Sequence, residues 1–131
     1  MDWTTKKILI TGGTGSFGRA FTRYALEHLN PNVIRIFSRD ELKQAEMREE
    51  FKSQKLRFFI GDIRDADRVE RALRGVDIVI HAAAMKRVEV CEYNPFEAIM
   101  TNIIGTQNVI NKGIDCGAEK IISISTDKAA N

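Results

Sequence analysis

The chain has few cysteines, little net charge and no long apolar run. Its two cysteines, Cys91 and Cys116, lie far apart without a CxxC pair or a histidine cluster nearby. This spacing argues against a disulfide framework and predicts that no metal is bound. Twenty basic residues against 18 acidic ones leave a net charge of +2, which is too weak to indicate nucleic acid or a membrane as a partner.

No apolar stretch approaches the length that a membrane-spanning helix needs. The opening residues, Met1-Asp2-Trp3, lead within a few positions into a strand-like run, so we expect no signal peptide. Unpaired cysteines fit a cytoplasmic location. A length of 131 residues, with 44% hydrophobic and 29% charged residues, fits one compact globular domain.

Hydrophobic periodicity alternates between strand-like and helix-like segments. Apolar runs predict five strands, at residues 8–10, 33–37, 56–60, 76–80 and 119–125, and the first of them is expected to be buried. Helical spacing predicts four helices between them, at residues 17–25, 40–52, 65–75 and 95–112. This alternation predicts an α/β fold, a Rossmann-like doubly wound parallel sheet in the order 3-2-1-4-5.

Two of these helices have an unusual distribution of apolar residues. The charged helix over 40–52 has a thin apolar side, which we expect to consist of Leu42, Ala45, Met47 and Phe51. The helix over 95–112 is apolar on more than one face, so part of it is expected to meet a partner subunit; the residues concerned are Ile99, Met100, Ile103, Ile104, Val109 and Ile110.

A glycine-rich turn, TGGTGSFG, lies between the first predicted strand and the first helix. Its glycines allow a tight turn and a close approach of the backbone to a pyrophosphate, which the free N–H groups of the helix N-terminus can bind. Its position makes it a strong signal of dinucleotide binding. We expect residues 1–131 to form an NAD(P)-binding domain whose turn ligands are Gly12, Thr14, Gly15, Ser16, Phe17 and Gly18.

The GxxGxxG spacing resembles the extended branch of the short-chain dehydrogenase/reductase superfamily, where an acidic residue after the second strand usually binds the ribose of NAD. This chain has Ser38-Arg39-Asp40 there, followed by Lys43. Arg39 can pair with a 2′-phosphate and Ser38 can donate to it, so this segment is expected to bind the cofactor and favours NADP over NAD. The alternative is that Arg39 is a solvent-facing arginine at a helix start.

The ends of the next two strands complete the expected cofactor site. The superfamily resemblance implies that the Asp62 carboxylate and the Ile63 backbone hold the adenine edge, although Asp62 could be an ordinary turn residue or helix cap. Small side chains in Ala82-Ala83-Ala84 let a cofactor lie close to the backbone. We interpret His81 as a packed histidine rather than a catalytic base.

Five segments together resemble one family more narrowly, the UDP-N-acetylglucosamine 4,6-dehydratases, notably the C5-inverting type that begins pseudaminic acid synthesis. The resemblance runs from Lys7 to Asn131 and rests on SRDELK at 38–43, FIGDIRD at 59–65, HAAAMK at 81–86, EYNPFEA at 92–98 and STDKAAN at 125–131. It implies a lyase that acts on a UDP-sugar: C4 is oxidised through NADP, water leaves across C5 and C6, and hydride returns to C6.

The resemblance also implies roles for particular residues. Thr126 would hydrogen-bond the C4 oxygen, Asp127 would protonate the leaving hydroxyl, and Lys128 would remove the C5 proton. Related sugar dehydratases carry glutamate where this chain has Lys128. Lys86 would lie near both cofactor and substrate, and Asn102 would support the substrate site.

Two departures from the family bear on these expectations. Arg87 and Glu89 replace the residues expected in the substrate loop, and no Tyr-x-x-x-Lys segment occurs. We therefore expect the N-terminal part of a longer homo-oligomeric enzyme, inactive alone. The alternatives are a nucleotide-sugar epimerase, a retaining dehydratase, or a freestanding dinucleotide-binding regulatory module.

Overall fold

The structure, a computed structural model, describes residues 1–83 and 95–124. Its strands are β1 Lys7–Thr11, β2 Val33–Ser38, β3 Leu56–Ile60, β4 Ile78–His81 and β5 Lys120–Ser123. Its helices are α1 Ser16–Tyr24, α2 Glu41–Phe51, α3 Ala66–Leu73 and α4 Pro95–Asp115. A 3₁₀ turn, Trp3–Thr5, precedes β1, and a π-helical turn, Ala25–Leu29, extends α1.

All five strands are parallel and lie in the order β3-β2-β1-β4-β5. The central strand β1 pairs on both sides, so that Ile8 lies opposite Ile34 of β2 and Ile78 of β4. The predicted Rossmann-like fold and its strand order are therefore confirmed.

The sheet separates two apolar cores. Because successive strand residues point to opposite faces, Ile8 and Ile10 pack with the side of α1 and α2, whereas Leu9 packs with the side of α3 and α4. The first core includes Met47 of α2, and the second includes Val109 of α4. Burial on both faces explains the continuous apolar runs of β1 and β4.

Local capping sets the helix boundaries. Asp40 caps α2 and Asp65 caps α3, as each carboxylate accepts a backbone N–H of the first turn. Asp65 is thus the predicted cap. The fourth strand begins at Ile78 rather than at residue 76, because the Val76 N–H donates to the Leu73 carbonyl at 3.0 Å and closes the turn after α3.

The expected apolar side of α2 is partly wrong. Leu42 is 69% exposed and Ala45 is exposed, whereas Gln44 and Met47 are buried. The inward face follows the helical spacing of positions 44, 47 and 51, and hydrogen bonds of Gln44 take the place of apolar packing. Hydrophobicity alone therefore misplaced this face.

Two glycines of helix α4 allow close packing against the rest of the domain. Gly105 lies against Ile63, and Gly113 lies against Ile121 of β5. Several large apolar side chains on α4 are exposed by about 40% or more: Phe96, Ile99, Met100, Ile103, Ile104, Ile110 and Ile114. The expected contact with a partner subunit stays a prediction.

Residues 1–83 and 95–124 contain neither a membrane-spanning helix nor a cluster of metal-ligating side chains. None of the helices there is long and apolar enough to cross a membrane. No group of three histidine, cysteine, aspartate or glutamate side chains in this part of the chain could hold a metal ion.

Candidate functional site

A cleft of about 1330 Å³ lies at the carboxyl ends of β1 to β4. In parallel α/β sheets this edge is the usual place for a ligand. Fourteen of the residues predicted to bind a cofactor line this cleft: Gly12, Thr14, Gly15, Ser16, Phe17, Gly18, Ser38, Arg39, Asp40, Lys43, Asp62, Ile63, Ala82 and Ala83.

The N-terminus of α1 faces this cleft without a side-chain cap. Gly15 occupies the cap position and has no side chain that could cap the helix, whereas α2 and α3 are each capped by an aspartate. The N–H groups of Ser16 and Phe17 at the helix start are therefore available to an oxygen-rich anion, toward which the helix dipole is also favourable.

Two glycines give the turn its shape. Gly12 has a positive φ of 63°, and a Cβ there would lie 2.8 Å from the Cα of Ala83. A Cβ on Gly18 would lie 2.4 Å from the carbonyl oxygen of Gly13. The backbone is therefore closed tightly around an accessible helix N-terminus, which fits a pyrophosphate.

The rim of the cleft at the end of β2 is formed by Ser38, Arg39 and Lys43, a hydroxyl and two basic side chains. Ser38 is buried at the wall, and the side chain of Arg39 is 63% exposed, with its Nη1 3.6 Å from Asp62 Oδ2. Lys43 lies on the first turns of α2. The carboxylate of Asp40 accepts the Lys43 backbone N–H at 3.0 Å, so this acidic residue is engaged as the helix cap.

Asp62 also lines the cleft, and it forms an ion pair with Arg64. Its Oδ2 lies 2.7 Å from Arg64 Nη2, and hydrogen bonds from Arg64 lower the pKa of Asp62 to about 2. The carboxylate is thus ionised at neutral pH and can only accept. Asp62 lies where an adenine-edge acceptor was expected, and that role stays a prediction. Ile63 is buried beside it, with its side chain against Gly105.

His81 links the turn to α4 through buried hydrogen bonds. It is 1% exposed, with Nδ1 2.7 Å from Thr11 Oγ1 and Nε2 2.9 Å from Thr106 Oγ1. Thr11 Oγ1 also accepts the Ala83 N–H at 3.2 Å. Burial lowers the pKa of His81, which favours the neutral ring. The histidine is packed, as expected, but its two threonine partners were not predicted.

The residues expected to act on a substrate lie mainly outside the described residues. This holds for Thr126, Asp127, Lys128 and Lys86, and the expected cofactor residue Ala84 also lies outside them.

Asn102 is described and lies half-buried on α4. Its Oδ1 is shielded from solvent and has no hydrogen-bond partner among residues 1–83 and 95–124. Its neighbour Thr101 lines the cleft. The structure therefore brings this part of α4 to the expected cofactor residues.

Other residues at the cleft were missed by the sequence analysis. Arg19 and Glu46 line it, and Gln44 is buried directly behind Ser38. For Gln44 a signal was present, because positions 44, 47 and 51 repeat at helical spacing and share one face. A polar residue in that repeat is a candidate for a buried hydrogen bond.

The glycine turn, the uncapped helix and the strand order define a Rossmann-like domain of the type that binds NAD(P). Residues 8–131 match the family described as polysaccharide biosynthesis protein. The chain belongs to this family.

Individual relatives are similar over almost the whole chain. The UDP-N-acetylglucosamine 4,6-dehydratase (inverting) of Campylobacter jejuni subsp. jejuni serotype O:23/36 (strain 81-176) is 60% identical over 126 residues, which are 96% of this chain and 38% of the relative. The resemblance to that family is confirmed. A UDP-glucose 4-epimerase of Rickettsia akari is 49% identical over 95% of this chain and 37% of the relative. The chain thus spans well under half of the length of these relatives.

Solved structures agree on the fold. Pen from Bacillus thuringiensis has a TM-score of 0.87 and 47% identity, covering 94% of this chain and 38% of that one. DesIV, a dTDP-glucose 4,6-dehydratase from Streptomyces venezuelae with NAD and TYD bound, has a TM-score of 0.78 and 30% identity, covering 88% of this chain and 38% of that one.

Proposed function

We propose that this chain is the NADP-binding part of a UDP-N-acetylglucosamine 4,6-dehydratase of the C5-inverting type. The observation that carries the proposal is the cleft that joins an uncapped helix N-terminus to a basic rim at Arg39. Support for the substrate comes from the 60% identity to a relative of that name. The activity belongs to a chain longer than the portion described.

The cofactor part of the proposal follows from the charges of the cleft. The turn Gly12–Gly18 holds the pyrophosphate through main-chain N–H groups, and the small residues Ala82 and Ala83 leave room beside the strand end. Arg39 and Lys43 attract a 2′-phosphate, whereas no acidic side chain ends β2 to receive ribose hydroxyls. We therefore favour NADP over NAD. When bound, NADP would accept a hydride and return it.

Residues of this chain carry the later steps of the sugar chemistry, whereas the proton of the C4 hydroxyl is taken by the tyrosine of the family's Tyr-x-x-x-Lys segment. Thr126 holds the C4 oxygen, Lys128 takes the C5 proton, and Asp127 gives a proton to the hydroxyl that leaves C6. Lys86 and Asn102 position the sugar against the cofactor. Asn102 suits such a role because its shielded Oδ1, which is an acceptor, receives no hydrogen bond from residues 1–83 or 95–124.

An epimerase of nucleotide sugars is the second candidate, and the Rickettsia relative favours it. The higher identity to the dehydratase supports the first candidate. An epimerase would return the C4 hydroxyl with inverted configuration and lose no water, so the product of UDP-N-acetylglucosamine separates the two.

Arg39→Ala tests the cofactor. Because a guanidinium–phosphate pair is charge-assisted, we expect NADP affinity to fall by about 10- to 100-fold and NAD affinity to change little, as measured by calorimetry. Arg71→Ala, an exposed arginine on α3, is the matched control. An unchanged ratio of the two affinities in Arg39→Ala would reject NADP.

Lys128→Ala tests the chemistry in a dehydratase-length chain that contains this sequence. We expect exchange of the C5 proton of UDP-N-acetylglucosamine with deuterated water to be lost, because no other group is proposed as the C5 base. Proton NMR of the nucleotide sugar measures it. Exchange at the wild-type rate would remove Lys128 as the base.

A further inference from the structure

Gln44 is a polar side chain buried behind the rim of the cleft. It lies on α2, is 3% exposed, and reaches the ends of both β2 and β3. Its Nε2 lies 3.0 Å from Ser38 Oγ and 2.9 Å from the Phe59 carbonyl oxygen. Glutamine is seldom buried without hydrogen bonds, so these contacts explain its position.

The Phe59 carbonyl fixes which way the Gln44 amide points. A carbonyl oxygen can only accept, so the NH₂ group of Gln44, and not its own oxygen, must face Phe59. The Ser38 carbonyl oxygen, 3.5 Å from the same nitrogen, requires the same orientation. The Ser38 hydroxyl oxygen therefore receives an N–H from Gln44.

This contact leaves the Ser38 hydroxyl as a donor. One lone pair of its oxygen is taken by Gln44, and within residues 1–83 and 95–124 no protein group accepts its proton. Ser38 lines the cleft beside Arg39, so a ligand at this rim meets the hydroxyl proton next to a guanidinium. Both groups suit an anionic oxygen.

We propose that Gln44 is a positioning residue that directs the Ser38 hydroxyl toward the 2′-phosphate of the cofactor, an inference that rests on the proposed use of NADP. Arg39 supplies the charge. Gln44 acts through Ser38, because it donates a hydrogen bond to the Ser38 oxygen and so leaves the hydroxyl proton to be donated to the ligand. Gln44 thereby contributes to the preference for a 2′-phosphate without touching the ligand.

The test compares two ligands that differ only in the 2′-phosphate, adenosine 2′,5′-bisphosphate and 5′-AMP. Gln44→Met keeps the length and volume of the side chain but removes both donors. We expect it to reduce the affinity ratio of the two ligands by about fivefold in calorimetry, since one directed hydrogen bond is lost. Met47→Ala, on the same buried face of α2, should lower stability and leave the ratio unchanged.

Ser38→Ala separates this route from a general effect on folding. We expect Ser38→Ala alone to lower the ratio, and Gln44→Met to have no further effect in its background. The inference is overturned if Gln44→Met weakens the binding of both ligands equally. It is also overturned if Gln44→Met lowers the affinity ratio as much in the Ser38→Ala background as in the wild type. A wild-type chain that does not prefer the 2′-phosphate would reject NADP and this inference together, whereas a wild-type preference that Gln44→Met leaves intact rejects the inference alone.

Discussion

Strands β1 and β5 have similar sequences and different surroundings. Both begin with a lysine followed by branched apolar residues, KILIT and KIIS. Four of the five β1 residues are buried, whereas three of the four β5 residues are exposed, with Ile122 at 42%. In the described part of the chain, β1 pairs on both edges and β5 pairs with β4 alone.

The same contrast extends to the helices. Around the glycine turn the backbone is packed so closely that single Cβ atoms would overlap with it, as at Gly12. On α4, by contrast, Phe96 is 75% exposed and Ile103 is 55% exposed. The glycine turn at the cleft is therefore packed within this chain, whereas α4 carries apolar surface that the described residues do not cover.

Gly12→Ala should have the largest effect, because it combines a positive φ with overlap against Ala83. We expect a loss of about 3 kcal/mol in unfolding free energy, measured with urea, and loss of dinucleotide binding. Gly75→Ala is the matched control, since its φ is +78° but a Cβ would meet nothing within 4 Å. Equal losses in the two variants would show that crowding at the turn is unimportant.

On α4, Val109→Ala and Ile103→Ala measure the contrast within one helix. Val109 is fully buried, so its truncation should cost about 2 kcal/mol of unfolding free energy. Ile103 is 55% exposed, and its truncation should change stability by less than about 0.5 kcal/mol. A cost at Ile103 equal to that at Val109 would mean that this face is covered in solution.

The smallest expected change concerns His81, which joins the two regions. Because burial lowers its pKa below the ordinary value of 6.5, the unfolded chain binds the proton more readily than the folded one. Stability from the neutral ring is thus complete above pH 6.5 and decreases as pH falls below it. Urea unfolding from pH 8 to 5 should show this slope in the wild type and a weaker slope in His81→Gln.

His28 provides the control for that titration, as it is the only other histidine and its side chain is 58% exposed. His28→Gln should keep the wild-type slope. If His81→Gln also keeps it, the protonation of another group governs stability in this range.

Much of the fold and of the cleft could be predicted because the signals are local. Alternating periodicity located the strands, and the glycine spacing located the turn that the structure places at the cleft. Local spacing alone could not show which groups Gln44 and Thr11 bind, because their partners Phe59 and His81 are distant in sequence. The role of a buried polar side chain can be assigned only when its hydrogen-bond partner in the folded structure is known.

The sequence by itself determined the alternation of strands and helices and the glycine turn at the start of α1, since each depends on residues close together in the chain. The strand order followed from the few topologies that right-handed crossovers allow. Tertiary structure alone decided that Gln44 faces inward while Leu42 faces out, and that β5 is exposed while β1 is buried. The reason is physical: propensity and capping act over a few residues, whereas burial and hydrogen-bond partners depend on which elements pack together.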